Sequence, residues 1–165
     1  MGEAIIIEKL CKYYDGFLAL DHLSLKIAED DDVGLLGPNG AGKTTTMKIL
    51  CGLISPSSGC AHIYGADVVK ERERALSHVG AIIETPEFYP YLTPEEILSY
   101  LGRLRGMGGH ELKDAIAKAL ERVKLRDWAK VKIGKFSRGM KQRLAIAQAL
   151  LHDPPILILD EPALG

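Results

Sequence analysis

The chain opens on "AIIIEKL", beginning at Ala4, a β-branched run that predicts a strand. Leu18, Leu20, Leu23, Leu25 and Ile27 then alternate with polar positions at roughly a period of two, broken at Asp21-His22. That pattern predicts a hairpin or small antiparallel sheet with its turn at the break. "VGLLG", residues 33–37, is expected to be a short buried strand ending at Gly37, and residues 44–50 a helix closed by Gly52 and "SPSSG". "CAHIYG" and "VGAIIE" read as further strands. After Pro86 the period changes. "YLTPEEILSYLGRLRGM" carries Thr93 as N-cap, Pro94 at the first helical position and Glu96 completing a capping box. "HELKDAIAKALERVKL" and "GMKQRLAIAQALLHD" predict two more amphipathic helices, the last stopped by Pro154-Pro155. "ILIL", residues 156–159, is a continuous apolar run expected to be a buried strand of the parallel kind. The pattern as a whole predicts an α/β core interrupted by a helical insertion over about residues 86–150.

Composition narrows the function classes. The 165 residues are 47% hydrophobic, enough for one domain or a domain with a subdomain. A formal net charge of −1 argues against a broad basic face, so no nucleic-acid partner is expected. "KERERALSH" and "RDWAKVKIGK" read as solvated faces. Cys11, Cys51 and Cys60 are an odd count without metal-ligand spacing, which suits a reduced cytosolic protein with buried thiols. The N-terminus lacks the features of a signal peptide, and Ile6 breaks a myristoylation motif. No apolar run approaches the roughly 18–20 residues that span a bilayer. Work at a membrane would therefore need another polypeptide to do the spanning.

The strongest chemical signal is "GPNGAGKTT", residues 37–45, which matches G-x-x-x-x-G-K-[ST] at Gly37, Gly42, Lys43 and Thr44. Backbone N–H groups can surround phosphate oxygens only if the loop adopts dihedrals that glycine reaches cheaply. The following helix aims its positive end at the same anion, Lys43 adds a point charge, and Thr44 offers a hydroxyl to Mg²⁺. The expected phosphate cradle comprises Gly37, Pro38, Asn39, Gly40, Ala41, Gly42, Lys43, Thr44 and Thr45. "ILILDEP" supplies what such a loop needs next: Asp160 at a strand end for the metal, then Glu161 as general base. Lys43 and Asp160 are far apart in sequence, which again points to an insertion. In "FSRGMKQRL", Ser137 and Gly139 at a helix start could form a second anion site. A plain helix cap accounts for them as well, and the residues alone favour the cap.

In this order the motifs resemble the nucleotide-binding domain of ATP-binding cassette (ABC) transporters, over the whole chain. "GPNGAGKTT" is similar to Walker A, "ILILDEP" to Walker B with its glutamate, and "FSRGMKQR" to the family signature. "IIETPEFYPYLT" resembles the Q-loop region, and "KYYDGFLALDHLSLKI" the strand bearing the adenine-stacking aromatic. The resemblance implies a P-loop NTPase core, at residues 1–85 and 151–165, with an N-terminal antiparallel β subdomain and a helical insertion at 86–150. It implies an ATPase that binds ATP and Mg²⁺ at the cytoplasmic face of a membrane. Its partners would be a second ATPase subunit, arranged head to tail, and a separate permease for export. Tyr14 would stack on adenine, with its neighbour Tyr13 the weaker candidate. Ser137, Gly139 and Met140 would reach the γ-phosphate on the opposite subunit, and Thr44, Glu84 and Asp160 would serve Mg²⁺, with Glu161 and Lys43 catalytic.

Three departures stand out. Glu84 replaces the usual Q-loop Gln and adds negative charge beside Asp160 and Glu161. Arg138 and Met140 replace a glycine and a Gln in the signature. "EDDDV" replaces the family's usual Gly-Glu segment. The first two resemble the bacterial drug, bacitracin and lantibiotic exporters. The family's later strands and switch histidine would follow "DEPALG", yet all five histidines precede Asp160. The chain therefore reads as a truncated cassette that binds ATP and hydrolyses it poorly. A non-transport ABC ATPase of DNA repair or ribosomes, and a nucleotide-binding fragment without turnover, are the alternatives.

Overall fold

The computed structural model describes residues 2–84 and 87–161, and they fall into two units, 1–79 and 80–165. In the first, β1 (Glu3–Tyr14) pairs antiparallel with β2 (Phe17–Ala28), with Tyr14 opposite Phe17. The two residues between them, Asp15 (φ 44°) and Gly16 (φ 87°), are both left-handed. That is the two-residue turn whose twist matches a hairpin, and Asp-Gly is a favoured pair for it. The chain therefore turns at Asp15-Gly16 and not, as the alternation suggested, at Asp21-His22. His22 (φ 45°) lies within β2. Between the pairs Leu10–Leu23 and Lys12–Leu20, β2 carries one more residue than β1, so the broken period marks a β-bulge. The His22 N–H donates to the buried Cys11 Sγ at 3.2 Å.

On the other side of β1 lies β3 (Ser58–Ile63), followed through Tyr64-Gly65 by β4 (Ala66–Asp67), giving the order β2-β1-β3-β4. The core of this unit is built from Ile7, Leu10, Ile63 and Val68 with Ile49 and Leu50 of α1 (Lys43–Leu50). Gly52 (φ 61°) follows that helix, as expected of a helix-ending glycine. The short α2 (Arg72–Ser77) buries Ala75 alone and leaves its charged neighbours solvated.

Residues 33–37 do not form the expected strand. They join no ladder, and Leu36 is 95% exposed. The Asp31 carboxylate accepts the Ala28 N–H at 2.9 Å, which ends β2 and turns the chain away. Beyond it Asp32, Gly34 and Gly37 are poor strand formers, and an apolar triplet without a ladder partner has no reason to extend. Asp31 thus gives "EDDDV" a structural role.

In the second unit β5 (Val79–Ile82) and β6 (Ile156–Leu159) form a two-stranded sheet. Between them come α3 (Pro94–Leu104), α4 (Gly109–Arg122) and α5 (Arg138–Leu150), with short 3₁₀ turns at Arg126–Trp128 and Ile133–Lys135. Leu98, Leu120, Leu125, Ile133 and Leu144 are fully buried in one cluster with Phe136, whose ring meets Trp128 edge-on at 6.1 Å. The capping box forms as expected: Glu96 N–H donates to Thr93 Oγ1 at 3.2 Å, and Thr93 N–H to Glu96 Oε2 at 2.7 Å. β6 forms but is not buried throughout. Ile158 is buried and Leu157, on the opposite face, is 43% exposed; β5 is its one ladder neighbour among the described residues. No helix among the described residues is long and apolar enough to cross a membrane.

Candidate nucleotide-binding site

Residues 37–45 link an exposed loop to the N-terminus of α1. Gly40 and Gly42 are left-handed (φ 84° each) and Gly37 has φ 156°. Gly42 is the N-cap of α1 and lends it no side-chain cap, so a side chain does not compete for the first-turn N–H groups. The loop is braced from within. Ala41 N–H donates to the Pro38 carbonyl at 3.2 Å, and both the N–H and the hydroxyl of Thr46 donate to the Gly42 carbonyl, at 2.8 and 2.9 Å. Lys43 Nζ donates to the carbonyls of Gly37 (2.7 Å) and Pro38 (2.9 Å), which places its charge across the loop's mouth. Residues 37–41 are exposed, Lys43, Thr44 and Thr45 are half-buried, and Gly42 is buried.

The burial of Gly42 has a cause outside the motif. A Cβ there would stand 2.5 Å from Leu20 Cδ2 and 2.7 Å from the Ala19 carbonyl oxygen, so β2 forms the floor of the loop. A glycine-rich loop, a helix N-terminus without a side-chain cap and one ammonium, set over β2, suit a polyphosphate. Leu20 and Ala19 had no local sequence signal. They support the loop only because the hairpin brings β2 beneath it.

Tyr14 ends β1 beside the turn. It is 43% exposed and Tyr13 50% exposed, so neither ring belongs to the core. Below α1, burial pushes the Cys51 thiol up to about 11, which keeps it protonated and inert. Cys60 is half-buried, and its thiol is also raised, first by burial and then by Glu8. All three cysteines are free.

The remaining candidate residues stand in the second unit. Ile82 ends β5, and its carbonyl accepts the N–H of Asp160, the residue after β6, at 2.9 Å. The two strands thus end together, with half-buried Asp160 on one and exposed Glu84 (φ 72°) just beyond the other. Glu161 is exposed and left-handed (φ 45°). Ser137 caps α5 by accepting the Met140 N–H at 3.2 Å and is itself exposed. Met140 leans on the helical core, and no atom lies within 4 Å of a Cβ built on Gly139. The second unit therefore brings Glu84 and Asp160 to one sheet end and keeps Ser137, Gly139 and Met140 together at one helix start.

A family model described as "ABC transporter" matches residues 20–164. The chain is 46% identical over 156 residues, 94% of its length, to YxlF of Bacillus subtilis (strain 168), described as an uncharacterized ABC transporter ATP-binding protein, and covers 51% of it. It is 46% identical over 165 residues, 100% of its length, to the bacitracin transport ATP-binding protein BcrA of Bacillus licheniformis, and covers 53% of it. The chain spans about half the length of the curated relatives it matches. Among solved structures, an ATP-binding subunit of an ABC transporter superposes with a TM-score of 0.86 at 32% identity, over 98% of this chain and 67% of that one. An ATP-binding cassette in its ADP conformation gives 0.85 at 26% identity, over 100% and 71%.

Proposed function

The chain belongs to the ABC transporter ATP-binding family, and from that premise we propose that it binds ATP on residues 37–45 and contributes the chemistry of an export ATPase. The observation that carries this is the cradle itself: left-handed glycines, an uncapped helix start and Lys43 set across the mouth. On binding ATP, Lys43 exchanges two neutral carbonyl partners for phosphate oxygens, which are the stronger charge-assisted acceptors. Tyr14 stacks on the adenine ring. Glu161 takes the proton of the attacking water.

Thr44, Glu84 and Asp160 offer only oxygen donors, the set that suits Mg²⁺. When bound, that ion neutralises charge on the phosphates. Ser137, Gly139 and the Met140 N–H serve the nucleotide of a second, head-to-tail ATPase subunit. Residues 86–150 act as the helical subdomain between core segments 1–85 and 151–165. The relative named as a bacitracin transport ATP-binding protein supports a separate membrane permease as partner and a position at the cytoplasmic face of the membrane.

Calorimetric titration with Mg-ATP tests the reading. Lys43→Ala is expected to weaken binding by about 1.5–3 kcal/mol, the scale of a hydrogen bond to a charged group. Equal affinity in the two proteins would remove the cradle from the mechanism.

A further inference from the structure

The aromatic end of β1 is fastened to the segment that follows α1. Ser57 N–H donates to the Cys11 carbonyl at 2.8 Å, Tyr13 N–H donates to Ser57 Oγ at 3.0 Å, and Lys12 Nζ donates to the Ser55 carbonyl at 2.8 Å. The same ammonium lies 5.0 Å from the centroid of the Tyr14 ring. Lys12 and Tyr14 are two apart on a strand, so both project from one face of it. Tyr14 itself is 43% exposed at a hairpin end, where packing alone does not fix its ring.

We propose that Lys12 is a positioning residue for nucleotide: it covers one face of the Tyr14 ring and holds the other ready for adenine. The inference rests on the stacking role given to Tyr14 above. Anchored on Ser55, the cation sits over the ring by electrostatic attraction to its π face. Because Ser55 follows α1 in the chain, the same contact ties the stacking ring to the helix that starts at the phosphate cradle. The ring is then ordered before ligand arrives, and the cost of ordering it is not charged against binding. Lys12 makes no contact with phosphate in this scheme, which separates it from Lys43.

The test is a double-mutant cycle on the full chain, read by calorimetry with Mg-ATP and with inorganic triphosphate. Lys12→Met keeps the aliphatic stem and removes the charge. It is expected to weaken ATP about two- to fivefold, the ratio of an exposed cation–π contact, and to leave triphosphate affinity unchanged. Lys12→Arg should restore ATP affinity. On a Tyr14→Ala background, Lys12→Met should have no further effect. If Tyr14→Ala binds ATP like the unaltered chain, the stacking role fails and the inference falls with it. If Tyr14→Ala weakens ATP but Lys12→Met does not, the stacking role stands and Lys12 alone is refuted. A Lys12→Met loss that persists without Tyr14, or that extends to triphosphate, also refutes it, because the lysine would then act on the phosphates or on the fold.

Discussion

Replacing Gly42 by alanine tests whether the floor beneath the phosphate loop is real. Two costs add. Alanine at φ 84° costs about 1–2 kcal/mol in the left-handed region. The new Cβ would also stand 2.7 Å from the Ala19 carbonyl oxygen and 2.5 Å from Leu20 Cδ2, about 1 Å inside the ~3.5–4 Å at which such atoms attract. Leu20 can rotate away, but the Ala19 carbonyl belongs to the β2 backbone and cannot. Overpacking of this kind costs about 1–3 kcal/mol.

Gly40 supplies the control. Its φ is also 84°, yet a Cβ there has no atom within 4 Å, so Gly40→Ala meets only the backbone cost. Any stabilisation from a stiffer unfolded chain is common to both variants and cancels. The expected difference between them is therefore about 1–3 kcal/mol, with Gly42→Ala the less stable. Urea unfolding followed by far-ultraviolet circular dichroism measures it. The single tryptophan, Trp128, lies in the second unit and would report the wrong region. Equal stabilities for the two variants would refute the floor and leave Gly42 as a matter of dihedral alone.

Thr93→Ala removes the cap of α3 and should lower stability by about 1 kcal/mol, read by Trp128 fluorescence during chemical unfolding, since Trp128 packs on Phe136 of the same core. The Thr93 backbone N–H, with its hydroxyl and Lys132 in support, holds the Glu96 carboxyl below the usual carboxylate range. A depressed folded-state value means that this stability is present above the unfolded value of about 4.3 and is lost as pH falls through the folded one. The advantage of the unaltered chain over Glu96→Gln should shrink across that acid window, and a pH-independent gap would count against the capping box. Glu161→Gln should retain Mg-ATP binding while phosphate release falls by about 10²-fold or more; undiminished hydrolysis would show that Glu161 is not the base.

What could be read in advance was what local chemistry dictates. A phosphate loop must carry its glycines and lysine within a few residues, so "GPNGAGKT" announced itself. Thr93, Pro94 and Glu96 act on one turn of one helix, so the cap was equally plain. The errors came where a residue's state depends on a partner distant in sequence. "VGLLG" has the composition of a buried strand, but a strand exists by virtue of its ladder, and Asp31 has already ended β2 and led the chain elsewhere. The run "ILIL" reads as buried on both faces, but its alternate side chains differ: Ile158 is buried and Leu157 is 43% exposed, so one face of the strand is not covered.

The misplaced hairpin turn is a different kind of error, because the sequence did hold the answer. Asp15-Gly16 and Asp21-His22 both interrupt the alternation, but the two-residue turn formed here holds two left-handed residues in succession. Glycine adopts that state freely and histidine does so at a cost. His22 meets the cost singly, as a bulge whose N–H is taken up by the Cys11 sulfur. The consequence reaches the candidate site. With the turn at Asp15-Gly16, β2 begins at Phe17 and continues through Leu18, Ala19 and Leu20, with a register shift at Ala19 where Leu18 pairs Tyr13 and Leu20 pairs Lys12, and it is this stretch that Gly42 rests on. Had the chain turned at Asp21, the phosphate loop would have had a turn beneath it in place of a strand, and Gly42 would not have been held to glycine by contact.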